Sequence, residues 1–542
     1  MATRPHVLQL GGGYVAVTLS RALRGAVERG ELSATVVSRE NFHTFHGFVG
    51  EMITGRIGVG NMLSPARRIF PPLAVHVAEI EAIDLDARRV LTSRHLDGAR
   101  TELGYDHLVI GVGTTENLEV YPGLAEHAFK LKAFADCLRL RNHLLGMFEL
   151  AEIESDPDER RRLLTFVVAG GGYAGTELAG ELADFARLLT GREFSRIRRE
   201  EWRVVLVHPG ATIMPELHGT SSFERGTRAH PRLVAYARDH ARGLGVELLT
   251  ETSVAGATPN EVYLSNGMHV PTRTIVSAVG TRPQAILQGL DLPTDERGRI
   301  VTDRYLRVED HENVWAGGDC AAVPHPHGGT CPPVGLYALK HGARIGDNIE
   351  RRLSGRPLEP FTYSAFASGV SIGRRTAVGE VLGVPVRGKL GWLLWRAVLV
   401  YFLPTWDRRL RLLADWLIWP VVGRDVVELD HTAHSEYDVR HQAFDAGEVL
   451  ARAARPVRDV HVILEGDVEL MREGEVVAVL HPGGHFGRKV LELQGADEAR
   501  ALTRVRTLSL REDQANALQD VLVSTGRLRA RTGSIPKLDL EA

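Results

Sequence analysis

The chain has 542 residues, 44% of them hydrophobic and 25% charged, with a formal net charge of −3. That length and mix describe a globular protein of about three or four domains, and the near-balanced charge gives no case for nucleic-acid binding. Cys137, Cys320 and Cys331 form no C-x-x-C or C-x4-C pair, which argues for a reducing compartment and against disulfide-relay chemistry.

MATRPH carries no signal-peptide pattern, so the fold is expected to begin at Val7. HVLQLGGGYVAVTLSRAL then reads as a strand, a tight turn and a helix, with Gly11, Gly13 and Ala16 at dinucleotide-fingerprint spacing. ATVVSREN is the second strand of this unit, and its end should carry an acid for the adenosine ribose hydroxyls. Ser38 stands there, followed by Arg39 and Glu40, and the ribose contact is assigned to Glu40. NFHTFHGFVGEMITG, 41–55, reads as a turn and a helical stretch. YDHLVIGVG, 105–113, reads as a closing strand that ends in glycines, Gly113 last, where backbone can lie against a cofactor.

FVVAGGGYAGTELAGEL, 166–182, repeats the grammar with Gly170, Gly172 and Gly175. The first glycine allows the turn, the second lets phosphate oxygens approach, and the third lets the helix pack on the strand. Either copy alone is satisfied by a glycine-rich strand-to-helix turn. Two copies point to two dinucleotides and to hydride transfer between them, the usual pair being NAD(P)H and FAD. Glu177 is expected in the first turn of the second helix, where it either complements the helix dipole or faces the reacting rings and handles a proton. WRVVLVH, 202–208, should end in an acid for the second ribose and ends in His208; a cationic imidazole there would tolerate a 2′-phosphate, which leaves NADPH open beside NADH. TIVSAVGTRP, 274–283, closes this unit with a strand and Gly280.

In VWAGGDCA, 314–321, Gly318 and Asp319 follow an apolar strand. The carboxylate suits a ribityl hydroxyl, a helix N-cap, or both. CPPVGLYALKHGARIGDNI reads as a helix behind two prolines. Residues 387–424 hold five of the seven tryptophans. GWLLWRAVLVYFL, about thirteen apolar residues interrupted by Arg396, is too short for the roughly twenty that span a bilayer. In DRRLRLLADWLIW and the Trp406 just before it, Trp406, Leu410, Leu413 and Leu417 fall on one stripe, with Arg408, Arg411 and Asp415 opposite. The pair is expected to lie in a headgroup layer, rings at the interface and arginines meeting anionic lipid. A hydrophobic dimer interface, or a hairpin packed on the flavin domain, is the alternative.

In this order the pieces resemble type II NADH dehydrogenases, single-chain flavoproteins that oxidise NADH and reduce membrane quinone. The likeness runs through NFHTFHGF, YDHLVIGVG, PGLAEHAFKLKAFADCLRLRNHLL, AGGGYAGTELAGELADFA and VWAGGDCA, over roughly residues 5–428. It implies an α/β fold with two Rossmann-type domains: an FAD domain, 1–115 and 286–386, split around an NAD(P)H domain, 116–285. The amphipathic anchor, 387–428, follows. It further implies a peripheral enzyme on the cytoplasmic side of the cell membrane that pumps no protons, with Asp319 at the flavin and Glu177 at the ring interface. The family's A-Q-x-x-x-Q pattern beside the quinone is replaced by Gly335, Leu336 and Lys340. From about 431 to 542, FDAGEVL, VHVILEGDVELMREGEVVAVLHPGGHFG and the helix-like DQANALQDVLV resemble a cyclic-nucleotide-binding domain, an antiparallel β-roll. Its cassette keeps Phe486 and Gly487, but Arg488 replaces the ribose-binding Glu, and Arg500 stands near the phosphate-binding Arg without the usual proline. That pattern favours a degenerate roll used for docking or self-association, as in a homodimer, over cyclic-nucleotide binding. The rival functions are a soluble NAD(P)H-dependent flavin reductase with another acceptor, a sulfide:quinone reductase relying on Cys320 and Cys331, and a flavin-bearing sensor acting through the last domain.

Overall fold

His6–Leu10 and Thr165–Ala169 are mostly apolar and buried on both faces, as strands covered on two sides are, and each is the middle strand of a five-stranded parallel sheet. The computed structural model describes residues 4–95, 97–218, 230–429, 440–453 and 459–511; the side chains of Arg440, Arg488, Lys489 and Arg511 are outside that description. The first sheet runs Val314–Ala316, His107–Ile110, His6–Leu10, Ser33–Ser38, Ala74–Val77. The second runs Ala128–Phe129, Thr274–Ser277, Thr165–Ala169, Arg203–Val207, Val246–Leu249. The inner four strands follow the same order in both, while the outer strand comes last in sequence in the first sheet and first in the second. The outer strand Val314–Ala316 pairs with His107–Ile110 only after the second sheet is complete, so the first unit is interrupted in sequence by the second. An antiparallel meander, Glu79–Asp84, Arg89–Ser93 and Arg100–Gly104, is inserted in the first unit.

Each central strand feeds a helix. Tyr14–Ala22 follows the first, and Tyr173–Leu189 the second. Helix Gly335–Leu353 packs along Tyr14–Ala22. A hairpin sheet, Ala367–Ser371, Ala377–Val381 and Val384–Arg387, then leads into two helices, Gly388–Phe402 and Trp406–Val422. No helix among the described residues is long and apolar enough to cross a membrane.

Contacts divide the chain into two compact units, one of residues 1–120, 128–255 and 262–428, the other of 121–127, 256–261 and 429–542. The second contains two four-stranded antiparallel sheets around a core of Phe444, Ile463, Leu470, Phe486 and Leu491. Its strands Val468–Arg472 and Glu475–Leu480 are joined by a two-residue hairpin connection. Arg472 pairs with Glu475, and Glu473 and Gly474 are both left-handed, at φ 50° and 87°, the geometry that matches strand twist. DQANALQDVLV lies outside the described residues.

Candidate functional site

Gly11 turns the chain at φ +93°, and a Cβ on it would stand 2.5 Å from the Gly111 carbonyl oxygen, so only glycine fits. Gly13 precedes the helix Tyr14–Ala22, and Ala16, third in the fingerprint, is fully buried. The first-turn N–H groups of that helix have no partner within it and form a ready anion cradle. Arg39 and Glu40 are about half exposed and form a loose ion pair at 3.7 Å, while Ser38 Oγ donates to the Glu40 carbonyl. Gly113, after the strand His107–Ile110, has φ +68°.

Asp319 does not cap a helix. Gly318–Cys320 is a single 3-10 turn that runs into a strand, Ala321–Ala322, which corrects the N-cap alternative. Its carboxylate instead accepts from Lys132 Nζ at 3.0 Å, and the same ammonium donates to Thr114 Oγ1 at 2.8 Å. Lys132 is fixed in turn because Glu116 Oε1 accepts the backbone N–H groups of Leu131 and Lys132. Gly318 N–H donates to His341 Nδ1 at 3.1 Å. Burial pulls the His341 pKa down to about 3, so the ring is neutral and can accept.

The second cradle repeats the first. Gly170 has φ +109°, with a Cβ position only 2.2 Å from the Ala278 carbonyl oxygen. Gly175 lies against the Gly170 carbonyl, packing helix on strand. The helix N-cap is Gly172, so Glu177 is the fifth helical residue, beyond the first turn where the dipole acts. This corrects the first-turn placement and weakens the dipole alternative. Glu216 Oε1 accepts the Tyr173 N–H at 3.2 Å. His208 Nδ1 accepts from the Gly171 N–H at 3.2 Å, and burial lowers its pKa, so the imidazole is neutral. The cationic form that would welcome a 2′-phosphate is thereby disfavoured. Gly280 has φ +117° past the strand Thr274–Ser277.

One cavity of about 1640 Å³ takes in Gly11 and Asp319 beside the first parallel sheet, Tyr173 and Glu177 from the helix after the second sheet's central strand, and Gly335 and Leu336 from the later helix. Lys340 is not part of its wall. The side chain is exposed, its ammonium 5.2 Å from the Tyr363 ring centroid, which corrects its quinone-side placement. Sequence reasoning passed over Tyr14, His43 and His46, which also line the cavity. Tyr14 Oη accepts the His46 N–H at 2.9 Å, and burial takes His43 to about 3. Two histidines in NFHTFHGF were the available signal.

Behind Glu177 lies a buried ionic cluster that sequence reasoning also missed. Arg56 pairs with Glu181 at 3.1 Å and with Asp184 at 2.6 Å; Arg424 meets Asp184 at 2.8 Å. Arg396 pairs with Glu51, and Trp416 Nε1 donates to the other Glu51 oxygen at 3.1 Å. Arg396 is therefore turned into the protein, 4% exposed, and not toward lipid, which corrects the expectation for this arginine. Glu177 has no ion pair among the described residues. Burial first, then the Glu181 and Glu51 charges, push its pKa well above the usual carboxylate range.

The two late helices leave an apolar face outside. Trp406, Leu410, Leu413 and Leu417 are 74, 65, 43 and 78% exposed, and Leu390, Leu393 and Tyr401 of the preceding helix are exposed too. On the inner side, Leu412 is buried and Asp415 accepts from Gly58 N–H at 2.7 Å. In the C-terminal unit, Gly487 is extended before the helix Arg488–Gln494, the Arg488 side chain lies outside the described residues, and Arg500 donates to Glu498 Oε1 at 2.6 Å.

Residues 5–342 match the pyridine nucleotide-disulphide oxidoreductase family, and residues 441–520 match the cyclic nucleotide-binding domain. The chain is 28% identical over 430 residues to the type II NADH:quinone oxidoreductase NdhA of Mycobacterium tuberculosis, covering 76% of this chain and 86% of that one. It is 27% identical over 454 residues to the internal alternative NAD(P)H-ubiquinone oxidoreductase A1, mitochondrial, of Arabidopsis thaliana, covering 78% and 85%. Among solved structures, NDH2 of Plasmodium falciparum in complex with NADH is similar in fold, with a TM-score of 0.70 at 15% identity over 78% of this chain and all of that one. The match over more than half its length means that the chain belongs to the pyridine nucleotide-disulphide oxidoreductase family.

Proposed function

We propose that the protein is an NADH:quinone oxidoreductase that uses FAD and pumps no protons. The observation that carries this reading is the shared cavity: the first glycine loop and the helix that follows the second line the same space, so two dinucleotides can meet ring to ring. The residues fit both groups, since no Cβ could enter at Gly11 or Gly170 without meeting a backbone carbonyl. Bound FAD supplies the two-electron carrier between nicotinamide and quinone, chemistry that no side chain offers. Asp319, steadied by Lys132, would accept from a flavin ribityl hydroxyl, and Glu40 would hold the adenosine ribose. Glu177, kept neutral by burial, holds on one carboxyl oxygen the proton that quinone reduction consumes. Gly335 and Leu336 shape the acceptor side, and the relatives named for quinone and ubiquinone support that acceptor. Anaerobic stopped-flow reduction by NADH, then reoxidation with menaquinone and ubiquinone analogues in turn, tests the reading. Flavin that stays reduced with both would overturn it.

NADH is the preferred donor, because a neutral His208 offers no charge to a 2′-phosphate. Steady-state rates with each nucleotide check this, and a strong preference for NADPH is the contrary result. The exposed face of 388–422 seats the enzyme on a lipid surface. The C-terminal unit serves docking or self-association into a homodimer, since Glu498 already occupies Arg500. Thermal shift with cyclic AMP and cyclic GMP should show no stabilisation; a clear upward shift with either would restore the nucleotide alternative.

A further inference from the structure

Glu51 and Arg396 are 345 residues apart in sequence, and the fold brings them together directly behind the cavity wall. Glu51 lies in the short helix Val49–Ile53 and is 3% exposed. Both of its oxygens are taken by the late helix pair, one by the Arg396 guanidinium and one by Trp416 Nε1. The guanidinium is itself held between two indoles, 4.1 Å from the Trp392 centroid and 4.1 Å from that of Trp416. Such a sandwich fixes a buried cation in place and partly replaces its lost hydration. Gly50, next to Glu51, separates this pair from the helix Tyr173–Leu189: a Cβ built on it would stand 3.6 Å from Glu177 Cγ and 3.4 Å from Glu181 Cγ. The ion pair is thus in the layer immediately behind Glu177, which lines the cavity and makes no ion pair among the described residues.

We propose that Arg396, reaching out of the exposed helix pair, is a positioning residue for Glu177: by offsetting the Glu51 charge it sets how tightly Glu177 holds its proton. The inference rests on the reading above in which Glu177 supplies a proton. The charged groups that face Glu177 are Glu181 on its own helix, Glu51 from Val49–Ile53 and Arg396 from Gly388–Phe402. Arg56 and Arg424 are engaged by Glu181 and Asp184 farther along the same helix. Glu51 and Arg396 act on Glu177 with opposite sign, so the intact pair largely cancels and leaves burial and Glu181 to retain the proton. Removing either member uncovers the other, and the two removals must move Glu177 in opposite directions.

The direct readout is an infrared pH titration of the protonated-carboxyl band in the holoenzyme, assigned to Glu177 by its disappearance in Glu177→Gln. Glu51→Gln leaves Arg396 unbalanced and is expected to move that titration down by about one pH unit or more. Arg396→Gln is expected to move it up, and the Glu51→Gln/Arg396→Gln double variant to return it near its starting point. The high-pH limb of quinol formation should follow the same order, while flavin content and flavin reduction by NADH report whether each variant is folded. If Arg396→Gln loses its flavin, the Glu51→Gln shift and its reversal in the double variant carry the test. Shifts of the same sign in both single variants, or no shift in Glu51→Gln, would overturn the role of Arg396 alone. If Glu177→Gln removes no titrating band, the proton assignment itself falls, and this inference with it.

Discussion

Lys132 is the residue whose replacement should speak most plainly about the flavin site. Its ammonium bridges Asp319 and Thr114, and Lys132→Gln would leave a partly buried carboxylate without its cation. The pair is partly solvent-screened, so the cost should be about 1 kcal/mol, read as several-fold weaker FAD retention by absorbance per mole of protein. Gly170→Ala should be far harsher on one nucleotide only: its methyl would meet the Ala278 carbonyl oxygen, so NADH binding should fail while the protein stays yellow. Loss of flavin in that variant would contradict the division of the two loops. His341 carries a pH prediction. Its folded pKa, about 3, lies below the ordinary 6.5, so the unfolded chain binds the extra proton between those values. Stability is therefore fully present above about pH 6.5 and is lost as pH falls toward 3, with a slope of about 1.4 kcal/mol per pH unit from this group. His341→Asn keeps an acceptor for the Gly318 N–H and removes the titration, so its acid unfolding curve should be shallower than that of the parent protein.

At the scale of elements, the helix Trp406–Val422 separates its duties by face. Trp416 and Asp415 reach inward to Glu51, Gly58 and Asn61, while Leu410 and Leu417 stand in solvent with nothing of this chain over them among the described residues. Leu410→Glu with Leu417→Glu should leave the melting temperature almost unchanged, because exposed substitutions cost within about 0.5 kcal/mol each. The same change should abolish co-flotation with anionic liposomes, since it breaks the apolar stripe on which interfacial binding depends. Undiminished flotation would mean that this face does not seat the lipid. The stripe was legible from residue spacing. The inward turn of Arg396 was not, because a 100° periodicity names the faces of a helix without saying which buried partner waits on either of them.

For the whole molecule, the two compact units have separate hydrophobic cores, and both glycine cradles belong to the first. Calorimetry should therefore resolve two transitions, and added FAD should raise only one of them, because a ligand stabilises the unit whose folded state binds it. A single transition raised by FAD as a whole would show that the units unfold together. What the sequence determined by itself was whatever local chemistry enforces: Gly11 and Gly170 at turns no side chain could take, apolar strands before them and helices after them. What only the tertiary structure decided were the meetings of distant residues. Lys132 finds Asp319 across 187 positions and Arg396 finds Glu51 across 345, while Lys340, four residues past the cavity-lining Leu336, ends up over Tyr363. Backbone geometry is set by each residue and its neighbours, whereas the partner of a buried charge is set by packing, which no stretch of sequence contains on its own.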